Sequence, residues 1–170
     1  MPLHTRKPDK KLIKELERDI EERVSVLAHG TGENVTVFAT RTLLAVKQNE
    51  QWCTWGWHEI ITGRWNAGQS TFQWTTTGGE SFEIQLESVG RLPELFQERV
   101  QASIAVTESH DLERGSIQII GRRSLGGSNE MTWYTTASGG ADLNDPATRQ
   151  FVVSRTDELD QEWGQLVWLP

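Results

Sequence analysis

Between residues 24 and 86 the chain contains a series of short segments with a two-residue hydrophobic period, and this pattern limits the possible folds strongly. In the last of these segments Phe82, Ile84 and Leu86 alternate with polar residues, a pattern typical of a strand with one buried and one solvated face. Turns rich in glycine and asparagine separate the segments. The pattern predicts seven consecutive antiparallel strands. They cover residues 24–28, 34–40, 42–47, 53–57, 60–65, 72–74 and 82–86.

Three other segments have apolar residues at helical spacings of three and four. The first covers residues 9–22, and the second covers residues 91–104 with Pro93 in its first turn. The third is capped by Asp145 and ends at Gly164. Each stripe predicts one buried helix face. The stripes are Leu12, Ile13, Leu16 and Ile20; Leu92, Leu95, Phe96, Val100 and Ile104; and Val152, Thr156, Leu159 and Trp163.

The order of these elements predicts an α+β fold. A long antiparallel sheet exposes its edges, and curling into a partly open barrel removes most of that exposure. The helix at 91–104 would then cap one end of the barrel. We therefore expect an N-terminal helical extension at 1–23, a seven-stranded barrel with its capping helix at 24–104, and a β-β-α appendage at 105–170 packed on the barrel. The two strands of the appendage are predicted at 116–121 and 131–136.

Four segments carry a resemblance to a known superfold: residues 35–44, 57–65, 72–86 and 92–103. In their order they resemble the bacterial form of the pleckstrin-homology (PH) domain. The chain also resembles a poorly characterised family of small actinobacterial proteins, in which an Arg-Arg pair and a Trp-containing strand follow the barrel. Here these are Arg122-Arg123 and the segment 131–133. The resemblance implies a PH-like barrel and covers residues 24–163.

Charge and composition argue against several classes of partner. The formal net charge is −7, and no part of the chain is strongly basic, so we expect neither nucleic acid nor an anionic membrane as partner. The loop at 29–33 has no Lys or Arg, which argues against phosphoinositide binding. No stretch is long and apolar enough for a membrane helix or a signal peptide. With a single cysteine, Cys53, the expected compartment is the cytoplasm.

The basic cluster near the N-terminus is expected to be a solvated helix face, because acidic residues follow within two turns. The cluster consists of Arg6, Lys7, Lys10, Lys11 and Lys14.

Catalytic and metal-binding patterns are weak. His4, His29, His58 and His110 lack ligand spacing, so we expect no metal and no cofactor. Cys53 has no neighbouring Lys or Arg to lower its pKa, which favours an inert thiol. The sequence therefore favours a non-enzymatic role and leaves catalysis open.

The candidate ligand-binding residues are arginines and tryptophans. Arg99, Arg122 and Arg123 are suited to gripping a carboxylate or phosphate with paired hydrogen bonds, or else to pairing with an acidic residue such as Asp142 or Asp145. Two tryptophans follow the polar loop at 48–51 and are expected to be partly exposed. They are Trp52 and Trp55, whereas Trp57 and Trp65 are expected to fill the core.

These observations predict a non-catalytic binding module or scaffold that recognises a protein or peptide. One alternative is a small-molecule carrier with an aromatic-lined barrel mouth. Another is an enzyme that acts on an anionic substrate through Arg99, His110 and the Arg122-Arg123 pair. The apolar tail at 165–170 would cover its own barrel or add to the sheet edge of a second subunit, giving a homodimer.

Overall fold

The computed structural model describes residues 7–128 and 130–165, which form ten strands in three antiparallel sheets and three α-helices. The predicted α+β class is confirmed. The chain divides into two compact units with the boundary between Ala102 and Ser103. The helices are α1 (Lys10–Ile20), α2 (Leu92–Ala102) and α3 (Pro146–Gln165). The strands are β1 (Val26–Gly32), β2 (Val35–Thr40), β3 (Leu43–Gln48), β4 (Gln51–Gly56), β5 (Ile60–Asn66), β6 (Thr71–Thr76), β7 (Ser81–Gln85), β8 (Ile104–Asp111), β9 (Ser116–Arg123) and β10 (Met131–Ser138).

Helix α1 lies on one face of the first sheet. Asp9 caps its N-terminus by accepting a hydrogen bond from the Lys11 N–H at 2.9 Å, and Glu21 ends it in the left-handed conformation. Leu16 is fully buried against Phe38 and Ala45 of the sheet. The remaining apolar residues of the predicted stripe pack around this contact, which confirms the stripe. They are Leu12, Ile13 and Ile20.

The first sheet has the strand order β1-β2-β3-β4 and consists of successive hairpins. Asn49 and Glu50 join β3 to β4 with φ angles of 52° and 64°. Positive φ at both residues of a two-residue loop defines a type I′ turn. The turn fixes the register of β4, in which Gln51 pairs with Gln48.

Aromatic rings hold the second sheet, β5-β6-β7, against the first. The ring centroid of Trp55 on β4 lies 5.2 Å from that of Trp74 and 4.9 Å from that of Phe82. Helix α2 inserts Phe96 between the rings of Trp57 and Phe72, at 5.4 and 4.9 Å. These rings therefore contribute much of the core of the first unit, as expected for Trp57, whereas Trp65 is only half-buried.

The two sheets of the first unit meet at one corner. The Thr31 N–H donates to the Ser88 carbonyl at 2.8 Å, which joins β1 to the segment after β7. At the opposite corner β4 pairs only with β3, and β5 pairs only with β6. Over the residues that the structure describes, the strands therefore form separate sheets and no closed barrel.

Several sequence-based boundaries were wrong. The loops predicted at 29–33 and 48–51 are shorter than expected, because β1 continues to Gly32 and β4 begins at Gln51. Trp57 is not on a strand: it begins a 3₁₀ turn, Trp57–Glu59, because the Glu59 carboxylate accepts the Gly56 N–H at 2.8 Å and ends β4. Ile104 is not on the stripe of α2: it begins β8 and is 40% exposed.

The second unit has three strands, in the order β10-β9-β8, where the sequence predicted two. Strand β8 was missed because the residues on its more buried face include Glu108 and His110, so hydrophobicity does not alternate along it. Helix α3 follows, with Leu159 buried and the rest of its predicted stripe half-buried. Those residues are Val152, Thr156 and Trp163.

None of the helices in the described part of the chain is long and apolar enough to cross a membrane. Residues 1–6, which include His4 and Arg6, and the apolar tail after Gln165 lie outside the described residues.

Close packing of α2 on β5 generates a stability prediction. A Cβ added at Gly63 would overlap the Phe96 ring, so Gly63→Ala must displace that ring from its contacts with Trp57 and Phe72. We expect a loss of about 1–3 kcal/mol in the free energy of unfolding, measured by urea denaturation with tryptophan fluorescence. The matched control is Gly68→Ala, whose Cβ would meet only the Asn66 Oδ1 at 3.4 Å. Equal midpoints for the two variants would contradict this packing.

Candidate functional site

The candidate binding feature of the first unit is the outer edge of β4, which has no partner strand among the described residues. The phase of the β3–β4 ladder, meaning which of its residue pairs are hydrogen-bonded, determines which backbone groups of β4 are free. In a hairpin closed by a two-residue turn, the residues flanking the turn form a hydrogen-bonded pair, and hydrogen-bonded pairs alternate with non-hydrogen-bonded pairs. Gln51, Cys53 and Trp55 therefore bond to β3, while the N–H and C=O groups of Trp52 and Thr54 point outward.

The Gly56 N–H gives independent support for this phase. Gly56 pairs with Leu43 in the register of the ladder, yet its N–H bonds to Glu59 instead of β3. The same contact closes the edge at this end. The open part of the edge therefore runs over residues 51–55.

The strand contains no charged residue and no proline. Natural sheets commonly protect their edges with lysine, proline or bulges. The other strand at the separated corner, β5, contains Arg64, and β7 contains Glu83. Gln51, Cys53 and Thr54 are exposed. The β4 edge is thus both accessible and unprotected.

Trp52 and Trp55, the predicted ligand-binding tryptophans, are half-buried and lie on opposite faces of β4. Trp52 faces α1: it stacks on Phe38 at 5.5 Å and donates its Nε1–H to Glu15 at 3.1 Å. Trp55 faces the second sheet and packs against Trp74. The two rings support the edge strand on its two faces, and ligand binding by Trp52 and Trp55 stays a prediction.

Glu15 of α1 connects the helix to the sheet. Its carboxylate lies 2.5 Å from the Lys47 Nζ and also accepts the Trp52 indole N–H. The hydrogen bond from Lys47, reinforced by that from Trp52, lowers the pKa of Glu15 below its ordinary value.

An open groove of about 420 Å³ lies beside this contact. Its lining residues are Glu15, Asp19, Glu50, Gln51 and Trp52.

A second open groove, of about 560 Å³, follows the turns at the same end of the first sheet. Its lining combines residues of the β1–β2 and β3–β4 turns, including Asn34 and Asn49, with Leu12 of α1 and Lys47 of β3.

The three predicted arginines divide between the two units. Arg99 lies on α2, where its Nη1 donates to the Arg41 carbonyl and its Nη2 contacts Glu98, both at 3.4 Å. Its Nε is buried with no partner among the described residues. These contacts tie the end of α2 to the first sheet.

Arg122 and Arg123 end strand β9 in the second unit. Arg122 is fully buried, and it donates from Nε to the Ser103 Oγ at 2.7 Å and from Nη1 to the Tyr134 hydroxyl at 3.2 Å. The Arg123 guanidinium carbon lies 6.0 Å from the centroid of the Trp163 ring, a cation–π distance. Anion binding by these arginines stays a prediction.

A polar network between β8 and α3 was missed by the sequence analysis. Glu108 accepts paired hydrogen bonds from Arg155, at 2.6 and 2.9 Å. The His110 Nε2 lies 2.6 Å from the same carboxylate, and the His110 ring packs edge-on against Phe151. The available signal was the two-residue spacing of Glu108 and His110, which puts both side chains on one face of a strand.

The hydrogen bonds from Arg155 are the main cause that lowers the pKa of Glu108, with His110 adding to the effect. Glu108 in turn raises the pKa of Arg155. The network fastens helix α3 to its sheet. Across residues 7–128 and 130–165, no group of three or more His, Cys, Asp or Glu side chains is arranged to hold a metal ion.

Comparisons with protein-family models, with curated proteins and with solved structures found no match to this chain.

The Glu108–Arg155 pair generates a pH-dependence prediction. Because the folded-state pKa of Glu108 is lowered, its contribution to stability is present above the ordinary glutamate pKa and is lost as the pH falls below about 4. We expect Glu108→Gln to lower the urea midpoint of unfolding at pH 7, and the difference from the wild type to shrink towards pH 3. Glu113→Gln, at an exposed position, is the control. A difference that stayed constant with pH would contradict an ionic role for Glu108.

Proposed function

We propose that this protein is a non-catalytic binding module that takes an extended segment of a protein partner along the edge of β4. The observation that carries the proposal is the open, uncharged stretch at residues 51–55 with outward backbone groups at Trp52 and Thr54. An extended peptide that pairs with this edge gains main-chain hydrogen bonds, while neighbouring side chains supply specificity.

We further infer that the first unit is PH-like. Four strands in one sheet, three in a second sheet and a helix directly after the last strand support this inference. The contact between Thr31 and Ser88 at one corner and the separation of β4 from β5 at the other also fit a partly open barrel. In such a fold the separated corner leaves a strand edge for a partner.

Packing between the two sheets favours binding at the edge over binding in the interior. Phe72 and Trp74 are buried there, and Trp55, Phe82 and Phe96 surround them at ring-centroid distances of 4.9–5.4 Å. To hold a small molecule between the sheets, the protein would have to move these rings apart. The net charge of −7 supports a protein partner over nucleic acid or an anionic membrane.

The proposal predicts that Thr54→Pro weakens binding of an extended peptide. Proline removes the outward N–H of residue 54 and places its ring in the path of an added strand, but it leaves the ladder to β3 intact because that N–H does not bond to β3. Peptides selected from a random display library on the full-length protein serve as probes. By isothermal titration calorimetry we expect an affinity at least about tenfold lower, which corresponds to about 1.4 kcal/mol.

Thr54→Val is the matched control, because it keeps both the N–H and a β-branched side chain; its affinity is expected to equal that of the wild type. The urea midpoints of both variants establish that the fold is intact. Wild-type affinity in a folded Thr54→Pro variant would overturn binding at the β4 edge. Failure to select any peptide from the library would count against the proposed function.

A further inference from the structure

We propose that one partner of the β4 edge is the same edge of a second copy of this chain, in an antiparallel pair whose two-fold axis passes between the two Cys53 residues. The inference rests on the proposed function, since it uses the same edge. It names the partner and the register.

The register follows from the hydrogen-bond phase of β4. Only Trp52 and Thr54 present free backbone groups within the open stretch, so a second strand must bond to these two residues. In an antiparallel pair of identical strands, Trp52 opposite Thr54 of the second copy forms a hydrogen-bonded pair, and the symmetry operation repeats it. Cys53 then lies directly opposite its symmetry mate.

The open stretch is self-complementary in length and in chemistry. Glu59 closes the edge at Gly56 and the turn at Asn49–Glu50 closes it before Gln51, so residues 51–55 are centred on Cys53. No residue of β4 is charged, and an identical strand therefore sets no like charges directly opposite each other within the pair.

The side chains of the two strands also match across the axis. On the face that carries α1, the Trp52 ring lies opposite Thr54 of the second copy. On the other face, Gln51 lies opposite Trp55, and the two Cys53 side chains meet at the centre. Aromatic and β-branched residues in facing positions favour strand pairing. The result is a continuous sheet of eight strands with both α1 helices on the same face.

Long-range electrostatics oppose the association, because each copy has a net charge of −7. Salt screens this repulsion over about 10 Å at 0.1 M ionic strength, whereas the backbone hydrogen bonds of the pair are uncharged. Dimerisation is therefore expected to strengthen as the salt concentration rises.

The positions of the cysteines provide the test. Non-hydrogen-bonded antiparallel pairs have Cα atoms about 4.5 Å apart, within the range that a disulfide spans. Full-length protein is treated with diamide, which takes two electrons and two protons from two thiols and leaves a disulfide. We expect rapid formation of a covalent dimer on a non-reducing gel. Sedimentation equilibrium of Cys53→Ser is expected to show a non-covalent dimer that strengthens with salt.

The matched control is the double variant Cys53→Thr, Thr54→Cys, which exchanges two neighbouring exposed residues. Residue 54 lies opposite residue 52 of the second copy, so the two new thiols are offset along the strands and out of disulfide reach. We expect this variant to cross-link at least about tenfold more slowly than the wild type. Thr54→Pro is expected to be monomeric by sedimentation.

Equal cross-linking of the wild type and the exchanged variant would overturn the register. A Cys53→Ser protein that is monomeric at all concentrations, or a dimeric Thr54→Pro protein, would overturn the β4 pairing itself. The two proposals can be tested separately. If the protein is monomeric and Thr54→Pro still weakens peptide binding, the proposed function is supported and the dimer is ruled out. A β4 dimer that binds no peptide keeps the dimer and limits the edge to self-recognition.

Discussion

The first unit depends on the packing of aromatic rings between its two sheets. Trp55 on β4 contacts the rings of β6 and β7. Phe96 of α2 packs on the Phe72 ring, so the helix belongs to the same aromatic cluster. Gly63 of β5 permits this arrangement, because a side chain at position 63 would overlap the Phe96 ring. Large rings bury much apolar area per residue, so a small unit gains a sufficient core from a few of them.

This core positions the candidate site indirectly. Trp55 and Trp52 hold opposite faces of β4, one against the second sheet and one against α1. The strand is therefore supported on both faces while its outer edge stays free. At Gly56 the chain leaves the first sheet through a 3₁₀ turn and does not continue into a strand paired with β5. The separated corner follows from that turn.

Much of the secondary structure was predictable because it depends on local patterns. Alternating residues indicated the seven strands of the first unit, and the stripes of α1 and α3 indicated their buried faces. Strand β8 was missed because Glu108 pairs with Arg155, forty-seven residues away, and a pattern of hydrophobicity does not reveal a half-buried ion pair between distant residues. The partial exposure of Trp52 and Trp55 was expected, but their placement on opposite faces was not drawn from the sequence.

The class of fold, the order of the strands and helices up to α2, and the acidic character of the molecule follow from residue type and short-range periodicity. Which strand edge stays unpaired, and which backbone groups point outward, depends on how the chain packs in three dimensions. That outcome depends on the two-residue turn at Asn49–Glu50, which sets the phase of the ladder, and on the Glu59 carboxylate that ends β4. The turn acts through backbone geometry, and Glu59 acts through one side-chain contact to a backbone N–H. Neither contributes to the hydrophobic periodicity from which the strands were predicted.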